Sequence, residues 1–344
     1  MLTCKSPRKV MRVAYAFAIQ VLPAHSSKFG RHDFTLAQLF ACLVLREHQQ
    51  KSYRGVEALL RDARHWCRQI GMRRVPDHNT LCRAMRVIMT RHRVGRLLDL
   101  MARWANEVGR WLGSTLAIDS THLDVRHCSR HYEQRCRHYA ESRSRSVKAA
   151  NALRSRSNKR APKLTLGVET RCHLILSARP SVGTGCDSPG FAPALREAAR
   201  RQPQLLRVLA DSGFDSHANH VLAREAYRLR SLIKAGTGRP SQKLPASKYR
   251  RRMKQELAGS QAGRLYGRRA QVECVNSMLK RNLGDSLRGR SVASRNRELL
   301  LRAVTHNLML IRCQSGGSRQ SRFRPLPLII LLITRSFSGT ALMS

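Results

Sequence analysis

Acidic side chains are scarce in this chain, with 21 Asp and Glu among 344 residues, so their placement is informative. Asp119 and Asp211 each follow directly on a short apolar run, Thr115-Leu116-Ala117-Ile118 and Leu205-Leu206-Arg207-Val208-Leu209-Ala210. Runs of that length and composition read as strands. A carboxylate at a strand end is held rigidly and emerges at the sheet edge. Two of them side by side repel unless a divalent cation sits between them. Mg2+ suits such a pair, because it takes one or two carboxylates and completes its shell with water and substrate phosphate. Two such ions clamp the attacking and leaving oxygens of an in-line phosphoryl displacement.

A third carboxylate comes from a helical segment read over about Leu265 to Leu283. Tyr266, Arg269, Glu273, Ser277 and Lys280 fall within a stripe ~80° wide at ~100° per residue. Leu265, Val272, Leu279 and Leu283 form the adjoining apolar stripe. Glu273 therefore stands at the border between buried and polar faces, flanked by cations. Arg269 and Lys280 suit phosphate, one as a fork of donors and the other as a point charge. Taken singly, each residue has an ordinary reading. An Asp after a strand is usually a turn residue, and Arg269 with Glu273 is an ordinary i, i+4 pair. The combination, in a chain this basic, points to chemistry on nucleic acid.

That basicity is the strongest bulk signal: 65 Lys and Arg give a formal charge of +44. A charge of that size calls for a polyanion, and nucleic acid releases counterions when cations meet its phosphates. Hydrophobic residues make up 42% and aromatics 5%, so the core is mostly aliphatic. The ten cysteines include no Cys-x-x-Cys pair and read as reduced cytosolic thiols. Lys5, Arg8, Lys9 and Arg12 precede Val13–Ile19, a weak likeness of a signal peptide, but the rest of the chain reads as nucleic-acid machinery. No run approaches the ~18 apolar residues of a membrane span.

The elements that must position the carboxylates follow from periodicity. Helices are expected at Leu36–Val44, after a Ser52 cap, after Pro76-Asp77, and over about Val94–Trp111. Short helices with Arg73, Arg74 and Arg83 around them suit a helix-turn-helix-like DNA reader, or equally a bundle bracing the next domain. Strands are expected at 163–168, 173–177, 205–210 and 231–234, with helices near 192–201, 217–227 and 294–311. The order predicts a mixed α/β sheet rather than a strictly alternating one. The expected division is an N-terminal helical, DNA-binding domain over 1–112, a catalytic domain over 113–312 with a basic loop at 126–163 and an insertion at 236–263, and a poorly ordered tail at 313–344.

Tyr266-x2-Arg269-x3-Glu273-x6-Lys280 resembles the Tyr-x2-Arg-x3-Glu-x6-Lys signature of DDE transposases from bacterial insertion sequences, the group that includes the insertion sequence four and five types. All four positions fall at the family's spacing. Ala117-Ile118-Asp119-Ser120-Thr121 and Leu209-Ala210-Asp211-Ser212-Gly213-Phe214-Asp215 look like the segments around the family's first and second aspartates. Pro76-Asp77-His78-Asn79-Thr80-Leu81 resembles its N-terminal helical region, and the likeness spans roughly residues 25 to 313. His122 stands where the family often carries Gly, which would bear on a turn beside the metals.

The resemblance implies an RNase H-like catalytic domain with Asp119, Asp211 and Glu273 as the catalytic, metal-holding triad. It implies Tyr266, Arg269 and Lys280 on the DNA, and two Mg2+ ions with Mn2+ as a substitute. It implies cleavage of transposon inverted-repeat ends and joining to target DNA by a homodimer or higher synaptic complex, in the bacterial cytoplasm at the nucleoid, with no membrane partner. Asp124 and Asp215 are near-neighbour alternatives to the two aspartates, and Asp215 reads as the cap of the following helix. The rival classes are a non-catalytic DNA-binding protein (a regulator or an inactivated transposase) and a simple RNase H-like nuclease. His127, Cys128, His131, Cys136 and His138 also offer zinc-capable side chains at compact spacing, inside the basic loop.

Overall fold

A computed structural model describes residues 3–29, 32–107, 112–126, 161–183, 185–235 and 247–314. Most of the basic loop with its His/Cys cluster, residues 236–246 of the insertion, and 315–344 of the tail lie outside the described residues.

Six helices open the chain: α1 (Pro7–Val21), α2 (Leu36–His48), α3 (Tyr53–Asp62), α4 (Arg64–Arg68), α5 (His78–Ile88) and α6 (Arg91–Glu107). The starts of α3 and α5 are capped where the sequence predicts helices to open. Ser52 accepts from the Gly55 amide at 3.0 Å, and Asp77 from the Thr80 amide at 2.8 Å, each satisfying a donor the first turn leaves open. Thr35 and Gln38 form a reciprocal capping box on α2. The apolar run 13–19 lies within α1, which packs against α2, α6 and the last helix of the fold.

The central sheet has five strands in the order β4-β3-β1-β5-β6, formed by β1 (Thr115–His122), β3 (Pro162–Glu169), β4 (Ile175–Val182), β5 (Arg207–Ala210) and β6 (Arg230–Ile233). β1, β3 and β4 run antiparallel, whereas β5 and β6 run parallel to β1, so the sheet is mixed. This is the RNase H-like arrangement. In the β3–β4 hairpin a Cβ on Gly167 would run into the Ser177 hydroxyl, which would have to turn away to admit a larger residue. Helix α7 (Ser188–Arg201) covers one face of the sheet. The other face is covered by α11 (Ala270–Leu283) and α12 (Val292–Gln314). Between β5 and β6 lies α8 (His217–Val221), and two helices, α9 (Lys248–Ala258) and α10 (Ser260–Gly267), occupy the second half of the expected insertion. A two-stranded pair joins β2 (Asp124–Val125) to β7 (Ser286–Leu287).

The N-terminal helices and the sheet share one contiguous apolar core. Every residue of α2 is buried, because α12 crosses it from the catalytic side while α1, α3 and α5 flank it.

Candidate active site

The register of β1 and β5 brings the two aspartates together. Their parallel ladder runs from Thr115 opposite Arg207 to Ile118 opposite Ala210. The next step along that register carries Asp119 and Asp211, whose side chains share a face because directly paired positions point the same way. The strand itself does not end at Asp119, contrary to expectation. On its other edge β3 continues to supply partners, Asp119 opposite Leu166 and on to His122 opposite Lys163, so β1 persists after β5 has left it. For the same reason no turn forms at His122.

Asp211 leaves its strand at once. It caps a short 3-10 turn, Ser212–Phe214, and its Oδ1 accepts from the Gly213 amide at 3.0 Å. A Cβ on Gly213 would meet Asp211 Oδ1 and Asp187 Oδ2 at 3.2 Å each, so glycine lets that turn close against two carboxylates. Asp187 is paired with Lys163, a buried lysine on β3.

Glu273 sits in the first turn of α11, but the helix carrying it is broken. The expected single helix from 265 to 283 is two, α10 and α11, separated at Arg268-Arg269. There the amides of Arg268 and Arg269 bond to the carbonyls of Leu265 and Tyr266, at 3.2 and 2.8 Å. These tighter i to i−3 bonds retain helical handedness while interrupting the α ladder. The signature geometry therefore survives the break: Arg269 Nη2 reaches Glu273 Oε1 at 2.6 Å, and its guanidinium lies 5.9 Å from the centre of the Tyr266 ring. Lys280 lies two turns further along α11 and is half-buried. Ser277, the other polar member of the predicted stripe, is exposed.

One residue in the site was not anticipated. Asn276, 8% exposed, donates from Nδ2 to Asp119 Oδ2 at 2.9 Å. It is three residues from Glu273 and four from Lys280, a spacing that places it on their side of the helix. That spacing was the available signal.

Burial pushes the Asp119 carboxyl up to about 6, and the negative charges of Asp211 and Glu273 push the same way, against the Ser120 amide and Arg269. Both carboxylates thus act on Asp119 through space. Burial is the largest single influence on Arg269 and lowers its pKa, but the charge and hydrogen bond of Glu273 together with Tyr266 and Asp119 outweigh it and raise it. Burial also raises the Tyr266 hydroxyl.

Asp119 and Asp211 offer hard oxygen donors at adjoining positions of the β1–β5 register, a donor set suited to Mg2+ or Mn2+ rather than zinc. Among the described residues no three His, Cys, Asp or Glu side chains are gathered closely enough to enclose an ion. Glu273 is held by Arg269 and half-exposed.

The near-neighbour alternatives, Asp124 and Asp215, have other surroundings. Asp124 lies exposed on β2, opposite Ser286. The Asp215 side chain is 2% exposed and accepts from Arg250 Nε at 3.0 Å and Nη2 at 2.6 Å. It does not cap α8, because the Ser216 hydroxyl accepts from the Asn219 amide instead.

A mixed sheet presenting two aspartates in register, with a Tyr-Arg-Glu-Lys helix laid beside them, defines a DDE-type DNA-processing enzyme. Residues 110–308 match the transposase DDE domain family, and the chain belongs to that family. Residues 8–86 match a second family, described as Transposase domain (DUF772). The protein is accordingly a transposase, an enzyme of DNA cleavage and strand transfer that works with divalent metal ions, and it binds DNA. A non-catalytic DNA-binding protein is not favoured. No curated protein compared with the chain matches it. Among solved structures, the piggyBac transposase synaptic complex with hairpin DNA is similar over 95% of this chain and 78% of that chain, at 11% identity and a TM-score of 0.41. Among the described residues no helix is long and apolar enough to cross a membrane.

Proposed function

We propose that Asp119, Asp211 and Glu273 are the catalytic triad of an insertion-sequence transposase of the four/five type, holding two Mg2+ ions, with Mn2+ as a substitute. The observation that supports this most is the β1–β5 register, whose next step beyond Ile118 and Ala210 carries Asp119 and Asp211, together with the repulsion by Asp211 and Glu273 that helps raise the Asp119 pKa. When bound, the ions polarise the scissile phosphate and activate the attacking water or 3′-hydroxyl. Asp119 and Asp211 supply oxygens fixed by the sheet. Arg269 holds Glu273 until DNA phosphate competes for its guanidinium, which frees the carboxylate to turn toward the aspartates. Tyr266 backs that guanidinium, and Lys280 meets a phosphate further along the same face. Positioning and charge neutralisation carry phosphoryl transfer, with little covalent work for the protein.

The N-terminal helices of 1–112 read as the end-binding part. Glu57 on α3 ties down the start of α5 through the His78 amide and ring, both at 2.9 Å. Asn79, Arg83 and Arg86 are exposed along α5, the spacing of one face of a DNA-reading helix. Synapsis of two transposon ends calls for a homodimer or larger assembly, at work on the bacterial nucleoid.

The test uses labelled terminal inverted repeats with Mg2+. Asp211→Ala and Glu273→Ala are expected to lose nicking and joining while retaining end binding in a gel shift. Joining by both variants would remove the assignment. Lys280→Ala is expected to weaken end binding for all sequences alike and to lower the salt slope of log K by about 1. Fluorescence anisotropy across a salt series reads this, and an unchanged slope would take Lys280 off the phosphates.

A further inference from the structure

Asn276 has a role that the four-residue signature does not assign. Its side chain is buried between α11 and the sheet, and Nδ2 donates to Asp119 Oδ2 at 2.9 Å. Its Oδ1 is also buried and has no hydrogen-bond partner among the described residues. A buried amide with one end unsatisfied carries a desolvation cost. A leucine at this position would avoid that cost and fit the apolar surroundings of Val272, Val275 and Leu279. The amide's one visible contact is the carboxylate that the sheet aims at Asp211. With Oδ2 occupied by a neutral donor, Asp119 is held in one rotamer with Oδ1 left for another partner. A neutral group also adds no charge to a site where Asp211 and Glu273 already repel Asp119. The turn of α11 that carries Asn276 also carries Glu273, so one helix sets both Glu273 and the orientation of Asp119.

We infer that Asn276 is a positioning residue for Asp119, fixing through its amide which carboxylate oxygen is presented to the metal. This rests on the reading of Asp119 as a metal ligand. Partners behind metal ligands are worth about 10–100-fold in metal affinity or activity when removed.

The experiment measures Mn2+ binding to the full chain without DNA, by calorimetry, for the wild type, Asp119→Asn, Asn276→Leu and Asn276→Gln. Leucine keeps the volume and cannot donate; glutamine keeps the amide. The expected result is Mn2+ binding by the wild type that Asp119→Asn abolishes, an affinity about 10–100-fold weaker in Asn276→Leu, and recovery to within a few fold in Asn276→Gln. Inverted-repeat binding should stay at wild-type values in all of them, and the Asn276 variants should melt no lower than the wild type. Wild-type Mn2+ affinity in Asn276→Leu, or a loss in Asn276→Gln as large as in Asn276→Leu, overturns the positioning role and leaves the metal site standing. Failure of the wild type to bind Mn2+, or full binding by Asp119→Asn, overturns the metal-ligand reading and the inference with it. If Asn276→Leu does not fold, Asn276→Ala carries the same comparison, and wild-type affinity there overturns the proposal.

Discussion

Asp119→Asn is expected to lower end cleavage and strand transfer by at least about a thousandfold, about 4 kcal/mol of transition-state stabilisation, while raising the melting temperature of the metal-free protein. The two effects have one cause. In the fold the Asp119 pKa is raised to about 6, by burial first and then by Asp211 and Glu273, against about 3.9 for an unfolded aspartate. The ionised form is the one the fold disfavours. The resulting penalty is absent below about pH 3.9, grows as pH rises, and is complete above about pH 6. A neutral, isosteric Asn removes it, which is worth on the order of 1–3 kcal/mol at neutral pH for this partly buried group. In chelator at pH 7.5 the variant should therefore melt above the wild type, and at pH 4 the two should coincide. Adding Mg2+ or Mn2+ reverses the order, because binding to the native state stabilises only the protein that has the ligand. Scanning calorimetry at two pH values, with and without metal, reads all of this. A variant no more stable than the wild type in chelator at pH 7.5 would show that Asp119 is not under electrostatic strain.

The parts of this site legible in the sequence were those governed by local periodicity. Arg269 and Glu273 are one helical turn apart, so their pairing follows from spacing alone. The apolar runs before Asp119 and Asp211 gave the strands, and the strand–helix order gave a mixed sheet. What the sequence could not show depended on neighbours in space. Whether β1 stops at Asp119 depends on β3, which lies more than forty residues on and keeps pairing through His122. The break at Arg268-Arg269 has no Gly or Pro to announce it beyond Gly267. Lys248–Ala258 reads as a charged insertion because Lys and Arg outnumber its apolar positions, yet it is a helix that buries Met253 and is anchored by Arg250 on Asp215 and by Glu256 on Arg230. Asp215 is taken up by that Arg250 pair, and Ser216 caps the helix in its place. Asn276 lies only ~20° outside the stripe drawn through Arg269, Glu273 and Lys280, and an amide there looks unremarkable until the sheet places Asp119 against it. The 13 residues of α2 gave an apolar stripe, but the burial of Arg46, Glu47 and His48 at its end reflects its place between the N-terminal helices and α12.

Arg302→Met is expected to destabilise the protein by about 3–5 kcal/mol. Arg302 is 1% exposed and sits between two buried glutamates, Glu47 at 0% and Glu298 at 2%. Its Nε donates to Glu47 Oε1 at 2.8 Å and its Nη2 to Glu298 Oε1 at 3.1 Å. The remaining donors reach the Gly284 carbonyl at 2.6 Å and the Ser286 carbonyl at 2.8 Å. Glu298 in turn accepts from the Arg288 and Gly289 amides, each at 3.0 Å. One guanidinium thus joins α2 to α12 and pins the segment 284–289 that follows α11, the helix of Glu273 and Lys280. Methionine fills much of the volume but leaves two carboxylates facing each other, with Arg46 Nη1, 3.3 Å from Glu47 Oε2, as the nearest remaining cation. Burial and the charge of Glu47 already raise the Glu298 pKa, opposed by Arg302, and without Arg302 it rises further. A raised carboxylate penalises the fold as pH climbs through its folded value and not below its unfolded one. The deficit of Arg302→Met should therefore be larger at pH 8 than at pH 5, as read by urea denaturation at both. Adding Glu47→Gln and Glu298→Gln to Arg302→Met should recover part of the loss, since a neutral cluster no longer buries an unpaired charge. Equal deficits at the two pH values, with no recovery in the triple variant, would mean that packing rather than buried charge sets the cost. Recovery of stability without recovery of DNA cleavage would identify the hold of Arg302 on Gly284 and Ser286 as the contribution this buried cluster makes to the active site.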